Sequence, residues 1–299
     1  MSTPLDPEIA AFVQACAGFE AESAAPDAVR AAYRRACAHF ATPRPAGMTV
    51  RDEHRGGVRV RRYRPGAGAV GRLLFLHGGG WVVGDLDSHD PVVADLAERA
   101  GVEALAVDYR LAPEHPWPAA VEDAWAALAA YAAEPGPPPV VAGDSAGGNL
   151  AAVIAVLARD RGVALAGQVL IYPAIFADMS LPSRREQAEA PMLTAAEMRH
   201  YGRVYLGREP TAADLADPRL VPARADLRGL APAFLTAAEI DPLRDDVPCY
   251  AAALRAAGVP VTAIVEPGLV HAWLRARTVS GRAAAAFARV VAAIRGFAA

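Results

Sequence analysis

The chain has 299 residues, 54% of them hydrophobic and 21% charged, which makes it globular, not disordered, and large enough for one big domain or two small ones. A formal net charge of −3 argues against a dedicated nucleic-acid binder. All 30 basic residues are arginine, and the absence of lysine excludes a Walker A site, a pyridoxal Schiff base, a lysine nucleophile and the Ser-x-x-Lys hydrolases.

Two alanine-rich helical stretches open the chain, near residues 7–18 and 27–40. Residues 48–54 and 57–64 read as short strands split by Gly56-Gly57, a hairpin signal. The second strand carries Arg59, Arg61, Arg62 and Arg64, which read as a solvated edge that blocks strand-to-strand aggregation. Gly66-x-Gly68-x-x-Gly71 fits a dinucleotide fingerprint, yet it leads into a strand. A phosphate needs a helix N-terminus there, so this run reads as a loop. Asp85, Asp87 and Asp90 suggest a calcium loop but lack the glycine and closing glutamate of an EF-hand. They read instead as supports for the preceding glycine loop and as a helix cap.

From residue 72 onward, apolar runs alternate with helical segments. Leu73–His77, Ala104–Asp108, Val140–Gly143, Val169–Tyr172, Ala233–Ala238 and Val261–Glu266 are the expected strands. Residues 90–100, 118–132, 146–161, 243–257 and 281–297 are the expected helices. Strands apolar on both faces suit a parallel sheet with helices on either side. The prediction is an α/β fold, a doubly wound, mostly parallel sheet with an antiparallel start.

About sixty charged and proline-rich residues separate Tyr172 from Ala233, and a structureless loop of that length is unusual. Residues 177–228 therefore read as an inserted helical cap segment. Residues 1–45 read as further cap helices, and residues 46–176 with 229–299 as the main domain. The insert carries Asp178, Arg184, Arg185, Glu186, Glu189, Glu197, Arg199, Arg203, Arg208 and Glu209, with only scattered large apolar residues. Such a segment suits a closed roof better than a lid that opens onto lipid.

Cys16, Cys37 and Cys249 show no Cys-x-x-Cys spacing and read as reduced thiols, not as a disulfide frame or a metal site. The N-terminus shows no signal-peptide pattern, and the longest wholly apolar stretch, Leu150 to Ala158, is too short to span a bilayer. The expected location is cytoplasmic, with neither a membrane nor a nucleic acid as partner.

The strongest chemical signal is Gly143-Asp144-Ser145-Ala146-Gly147, a Gly-x-Ser-x-Gly pentapeptide between an apolar strand and an apolar helix. A sharp strand-to-helix turn would lift the serine clear of the backbone, and a side chain at either flanking glycine would clash with neighbours. A tight turn with an incidental serine is the plain alternative. His77-Gly78-Gly79-Gly80-Trp81 follows directly on a strand and answers it. The N–H groups of Gly78, Gly79 and Gly80, with that of Ala146, suit an oxyanion hole. Trp81 and Asp144 are placed at the substrate pocket, Asp144 as a support for the nucleophile and not as a catalyst.

A base and its orienter must come later in the chain. His200 and His271 are the histidines after the elbow. His271 lies on an expected loop past a strand, whereas His200 falls in the inserted segment and reads as a solvated or cap residue. Asp241 follows a strand and precedes Pro242, where it also suits helix capping. Asp245 and Asp246 are alternatives inside the next helix. Ser145, Asp241 and His271 stand in the chain order of an α/β-hydrolase triad.

The sequence resembles the hormone-sensitive-lipase-like bacterial esterases of the α/β-hydrolase fold. The residues that carry the resemblance are His77–Trp81, Gly84–Asp87, Asp108–Glu114, Gly143–Asn149, Glu239-x-Asp241-Pro242-Leu243-Arg244-Asp245 and Gly268-x-x-His271. It spans residues 45 to 297 and implies a carboxylesterase without cofactor or metal, acting on a small-molecule ester. It further implies Ser145, Asp241 and His271 as triad, oxyanion donors at Gly79, Gly80 and Ala146, and a two-part helical cap. Room is left for a homodimer. Ala272 departs from the family's glycine after the histidine, which leaves the alcohol-side pocket open. An amidase or formamidase on the same triad, and a non-catalytic ligand receptor, stand as rival readings.

Overall fold

Apolar side chains that alternate between the two faces of successive strands build an eight-stranded sheet in the computed structural model, which describes residues 5–299. The first four residues of the 1–45 segment lie outside the described residues. Helices α1 (Pro7–Ala17) and α2 (Pro26–His39) each begin with a proline, which suits a first turn whose N–H has no helical partner. Strands β1 (Thr49–Arg55) and β2 (Val58–Arg64) then turn through Gly56 and Gly57, both at positive φ.

The βα alternation follows with β3 (Gly71–Leu76), α3 (Asp90–Ala100), β4 (Val102–Val107), α4 (Ala119–Ala132), β5 (Val140–Asp144), α5 (Ala146–Asp160) and β6 (Gly167–Ile171). Short α6 (Pro182–Glu186), α7 (Ala195–Leu206) and short α8 (Ala212–Ala216) occupy residues 177–228, before β7 (Ala233–Ile240), α9 (Asp246–Ala256), β8 (Val261–Val270) and α10 (Gly281–Ala298). The strand order is β1-β2-β4-β3-β5-β6-β7-β8, antiparallel from β1 to β4 and parallel from there to β8.

One core lies on each face of the sheet. Leu74, Leu76, Val141 and Leu170 pack with α4, α5 and α9, while Leu73, Phe75, Ala142 and Ile171 pack with α1, α3 and α10. This period-two division is what a doubly covered sheet requires.

The arginine run is not a solvated edge. β2 is an inner strand between β1 and β4, and Arg61 and Arg62 are buried. Alternation sends them to opposite faces. Arg61 meets Asp52 at 2.6 Å, Asp87 at 2.8 Å and Asp90 at 3.1 Å, whereas Arg62 meets Glu53 at 2.6 Å, Glu134 at 2.8 Å and also Glu103. Each guanidinium presents five donors in a fixed fork, so one side chain ties several carboxylates at once. Asp85, Asp87 and Asp90 are thus partners of arginines, Asp85 pairing with Arg34 at 3.1 Å. The residue at the N-cap of α3 is His89, not an aspartate.

Two other expectations shift. β8 continues through Pro267 and Gly268 to Val270, bulging between Glu266 and Val270 where it pairs with Ala238 and Ile240 of β7. Asp245 and Asp246 serve the 177–228 segment. Asp245 accepts the N–H of Ser183 at 2.8 Å, and Asp246 accepts those of Ile175 and Phe176. Asp246 also pairs at 2.5 Å with Arg184, both side chains being shut off from solvent.

Burial pushes the Asp246 carboxyl up to about 6, against the pull of Arg184. Removing the cation by Arg184→Met raises this folded-state pKa further above its unfolded value. The folded variant then binds the proton more tightly than the unfolded chain, so lost stability returns as pH falls. The expected loss is about 3–5 kcal/mol at pH 8, shrinking toward pH 5, read from urea midpoints across pH. A loss that stays constant with pH would mean that Asp246 needs no counter-charge.

Candidate active site

Ser145 is the single residue between β5 and α5, and it sits at φ 54°, ψ −118°. That is a costly backbone conformation for a side chain other than glycine, and its neighbours impose it. A Cβ on Gly147 would lie 2.0 Å from the Leu76 carbonyl oxygen, and one on Gly143 would lie 2.3 Å from that of Gly147. The flanking glycines are therefore required by close packing of the elbow against β3.

The structure brings Asp241 and His271 to this serine. Asp241 follows β7 directly, His271 follows β8 directly, and pairing of Ile240 with Val270 sets the two side by side. His271 Nδ1 is 2.7 Å from Asp241 Oδ2, and His271 Nε2 is 3.0 Å from Ser145 Oγ. With the proton on Nδ1 donated to the carboxylate, Nε2 accepts the serine hydroxyl. Asp241 is fully buried, and its other oxygen accepts the Leu243 N–H at 2.8 Å. It caps a turn and faces the histidine at the same time. His200 is exposed on α7 and does not line the cavity over Ser145.

The glycine run divides its work. Gly78 lies outside the expected donor set, because its N–H donates to Asp144 Oδ1 at 2.8 Å. Among the described residues, the N–H groups of Gly79, Gly80 and Ala146 have no protein acceptor, and all three residues line the cavity beside Ser145. Asp144 thereby anchors the loop from below. Burial opposes its charge, but nearby His89 and the Gly78 N–H hold its carboxyl below the usual range. Tyr172 donates to its other oxygen at 3.3 Å. Burial also drives the His77 imidazole down to about 4, so it is neutral at pH 7 beneath the loop. Trp81 lines the cavity and stacks on Tyr205 with ring centroids 4.3 Å apart.

The cavity measures about 440 Å³ and is walled mainly by apolar side chains. Its roof includes Met198, Tyr201 and Tyr205 from one face of α7, while Glu197 and Arg199 on that helix are exposed. Sequence reading missed this face, although the spacing of three and four residues inside a charged segment carries it. Tyr33 of α2 and Arg275 also line the cavity, and no local pattern marks either. Among the described residues no group of three or more His, Cys, Asp or Glu side chains is placed to hold a metal ion. Nor is any helix among them long and apolar enough to cross a membrane.

Comparison with known proteins places this geometry. Residues 73–275 match the family model described as the alpha/beta hydrolase fold. A carboxylesterase of Mycobacterium tuberculosis, NlhH, is 47% identical over 231 residues, covering 75% of this chain and 72% of that protein. An ethyl acetate hydrolase of Pseudomonas putida is 39% identical over 263 residues, 83% of this chain and 80% of that one. The crystal structure of a thermostable esterase from Pseudomonas putida ECU1011 superposes with a TM-score of 0.90 at 30% identity, covering 100% of this chain and 99% of the other. The chain belongs to the α/β-hydrolase fold family and, within it, to the hormone-sensitive-lipase-like ester hydrolases.

Proposed function

We propose that this chain is a carboxylesterase that hydrolyses short-to-medium acyl esters through an acyl-enzyme on Ser145. The observation that carries the reading is the continuous relay from Asp241 through His271 to the Ser145 hydroxyl, at 2.7 and 3.0 Å. His271 takes the serine proton as Oγ attacks the acyl carbon, and Asp241 holds the imidazole in the required tautomer and offsets its positive charge. The free N–H groups of Gly79, Gly80 and Ala146 receive the oxyanion. His271 then protonates the departing alcohol, and water repeats the cycle on the acyl-enzyme. Residues 1–45 and 177–228 act together as the cap that bounds the substrate.

A serine-directed organophosphonate should add one adduct, found by mass spectrometry on the peptide holding Gly143–Gly147. Ser145→Ala should lower kcat by roughly 10⁴–10⁶ while the far-ultraviolet circular dichroism stays native. An adduct on another peptide would displace Ser145 from the mechanism. Pairing each ester with its amide then separates esterase from amidase.

Among the described residues, the large apolar side chains left exposed are Val70, Met179, Val265 and Val279, of which only Met179 lies in the 177–228 segment. That segment offers no broad patch for docking on lipid. Each acyl methylene entering the apolar cavity adds about 0.8 kcal/mol, so kcat/KM should rise along p-nitrophenyl esters to roughly C4–C8 and then fall where the chain meets the roof. A steady rise to palmitate, or a jump at micelle formation, would show a lid that opens.

A further inference from the structure

The cavity contains a cation that the relay and the oxyanion loop do not use. Arg275 sits four residues past His271, in the 3₁₀ turn Trp273–Thr278, and lines the same cavity. Its guanidinium lies 5.0 Å from the ring centre of Tyr33, and its closest polar partner is the Cys37 thiol at 3.9 Å. Among the described residues it has no ion pair, and no carbonyl oxygen accepts from it. Buried Arg72, by contrast, is satisfied by the carbonyl oxygens of Tyr131, Glu134 and Pro137.

The groups facing Arg275 include Tyr33 and Cys37 on α2, Cys16 on α1, Tyr172 after β6 and Tyr201 on α7. Burial raises the pKa of each, so none supplies a negative charge near pH 7. Elsewhere on the cavity wall, Arg203 pairs with Glu209 at 3.4 Å, and Asp144 is engaged by Gly78 and Tyr172. Arg199, exposed on α7, is a second lining cation without an ion pair among the described residues. Of the charged side chains lining the cavity, Arg199, Arg203 and Arg275 outnumber the carboxylates of Asp144 and Glu209, so a mainly apolar wall carries net positive charge.

Arginine stays charged at every relevant pH, and its planar fork matches a carboxylate. In an ester hydrolase, the leaving oxygen must lie against the histidine Nε2 that protonates it. His271, Ala272 and Arg275 line one cavity, so Arg275 is open to an alcohol portion that leaves beside Nε2. We propose that Arg275 is an anion subsite, and that the enzyme prefers esters whose alcohol portion carries a carboxylate. This rests on the esterase reading above. A simple member of the class, 2-(butanoyloxy)acetate, would give butanoate, glycolate and one proton, with one water consumed.

The test compares kcat/KM for 2-(butanoyloxy)acetate with that for its neutral amide, 2-(butanoyloxy)acetamide, and with that for monoethyl succinate, whose carboxylate is on the acyl side. Wild type should favour the first by roughly 10- to 100-fold over the amide, as expected for hydrogen bonds to a charged group. Arg275→Gln should collapse this ratio toward one, and Arg275→Lys should retain part of it. A wild-type ratio near one, a ratio unchanged in Arg275→Gln, or preference for monoethyl succinate would overturn the proposal. A binding arm separates it from the esterase reading. Calorimetry on Ser145→Ala protein should show 2-(butanoyloxy)acetate binding that weakens at least about tenfold when Arg275→Gln is added. If that coupling appears while no ester is cleaved by the parent enzyme, the subsite stands and the esterase reading fails. If esters are cleaved and the coupling is absent, the subsite alone fails.

Discussion

The site depends on one close approach, that of the elbow backbone to β3. Gly147 lies so near the Leu76 carbonyl that no side chain fits, and this contact holds Ser145 in its left-handed conformation. β3 also launches the glycine loop, so the same contact sets the free N–H groups of Gly79 and Gly80 beside Ser145. Asp144, the last residue of β5, completes the tie by accepting the Gly78 N–H. Ser145 and the glycine loop are therefore placed by adjacent strands of one sheet, paired Leu76 to Gly143. Preorganisation of this kind removes reorganisation from the chemical step.

Arginine supplies most of the cationic cohesion outside the hydrophobic cores. Arg61 and Arg62 each bind several carboxylates from one inner strand, and Arg184 fastens the 177–228 segment to Asp246 at the start of α9. A lysine at any of these positions would offer a point charge and could not bridge the same set of partners. Arg275, which lines the cavity, has no carboxylate partner among the described residues. Arg61, Arg62 and Arg184 engage carboxylates inside the molecule, whereas the fork of Arg275 meets the Cys37 thiol and faces the cavity.

The cap follows a different rule from the sheet. Its inner face is a short amphipathic helix, with Met198, Tyr201 and Tyr205 toward the cavity, Arg199 and Arg203 at its rim, and Glu197 exposed. Tyr205 meets Trp81 of the oxyanion loop in a parallel stack, so roof and loop share an aromatic contact. The shape of the cavity is thus set by side chains far apart in sequence.

Much of the molecule is legible in the chain itself. Doubly apolar strands, the βα rhythm, the Gly143–Gly147 elbow, the His77–Trp81 loop and the order of Ser145, Asp241 and His271 are local patterns, because backbone geometry and close packing restrict which residues serve there. Three things were decided only by tertiary structure. Arg59 to Arg64 read as a solvated edge until β4 was seen to pair beside β2, since strand order is a long-range property. Gly78 read as an oxyanion donor until Asp144, 66 residues later, was found to occupy its N–H. Arg275 carried no signal at all, because what matters about it is that it has no ion pair among the described residues. A sequence displays charges singly, and only the fold determines which of them remain unpaired.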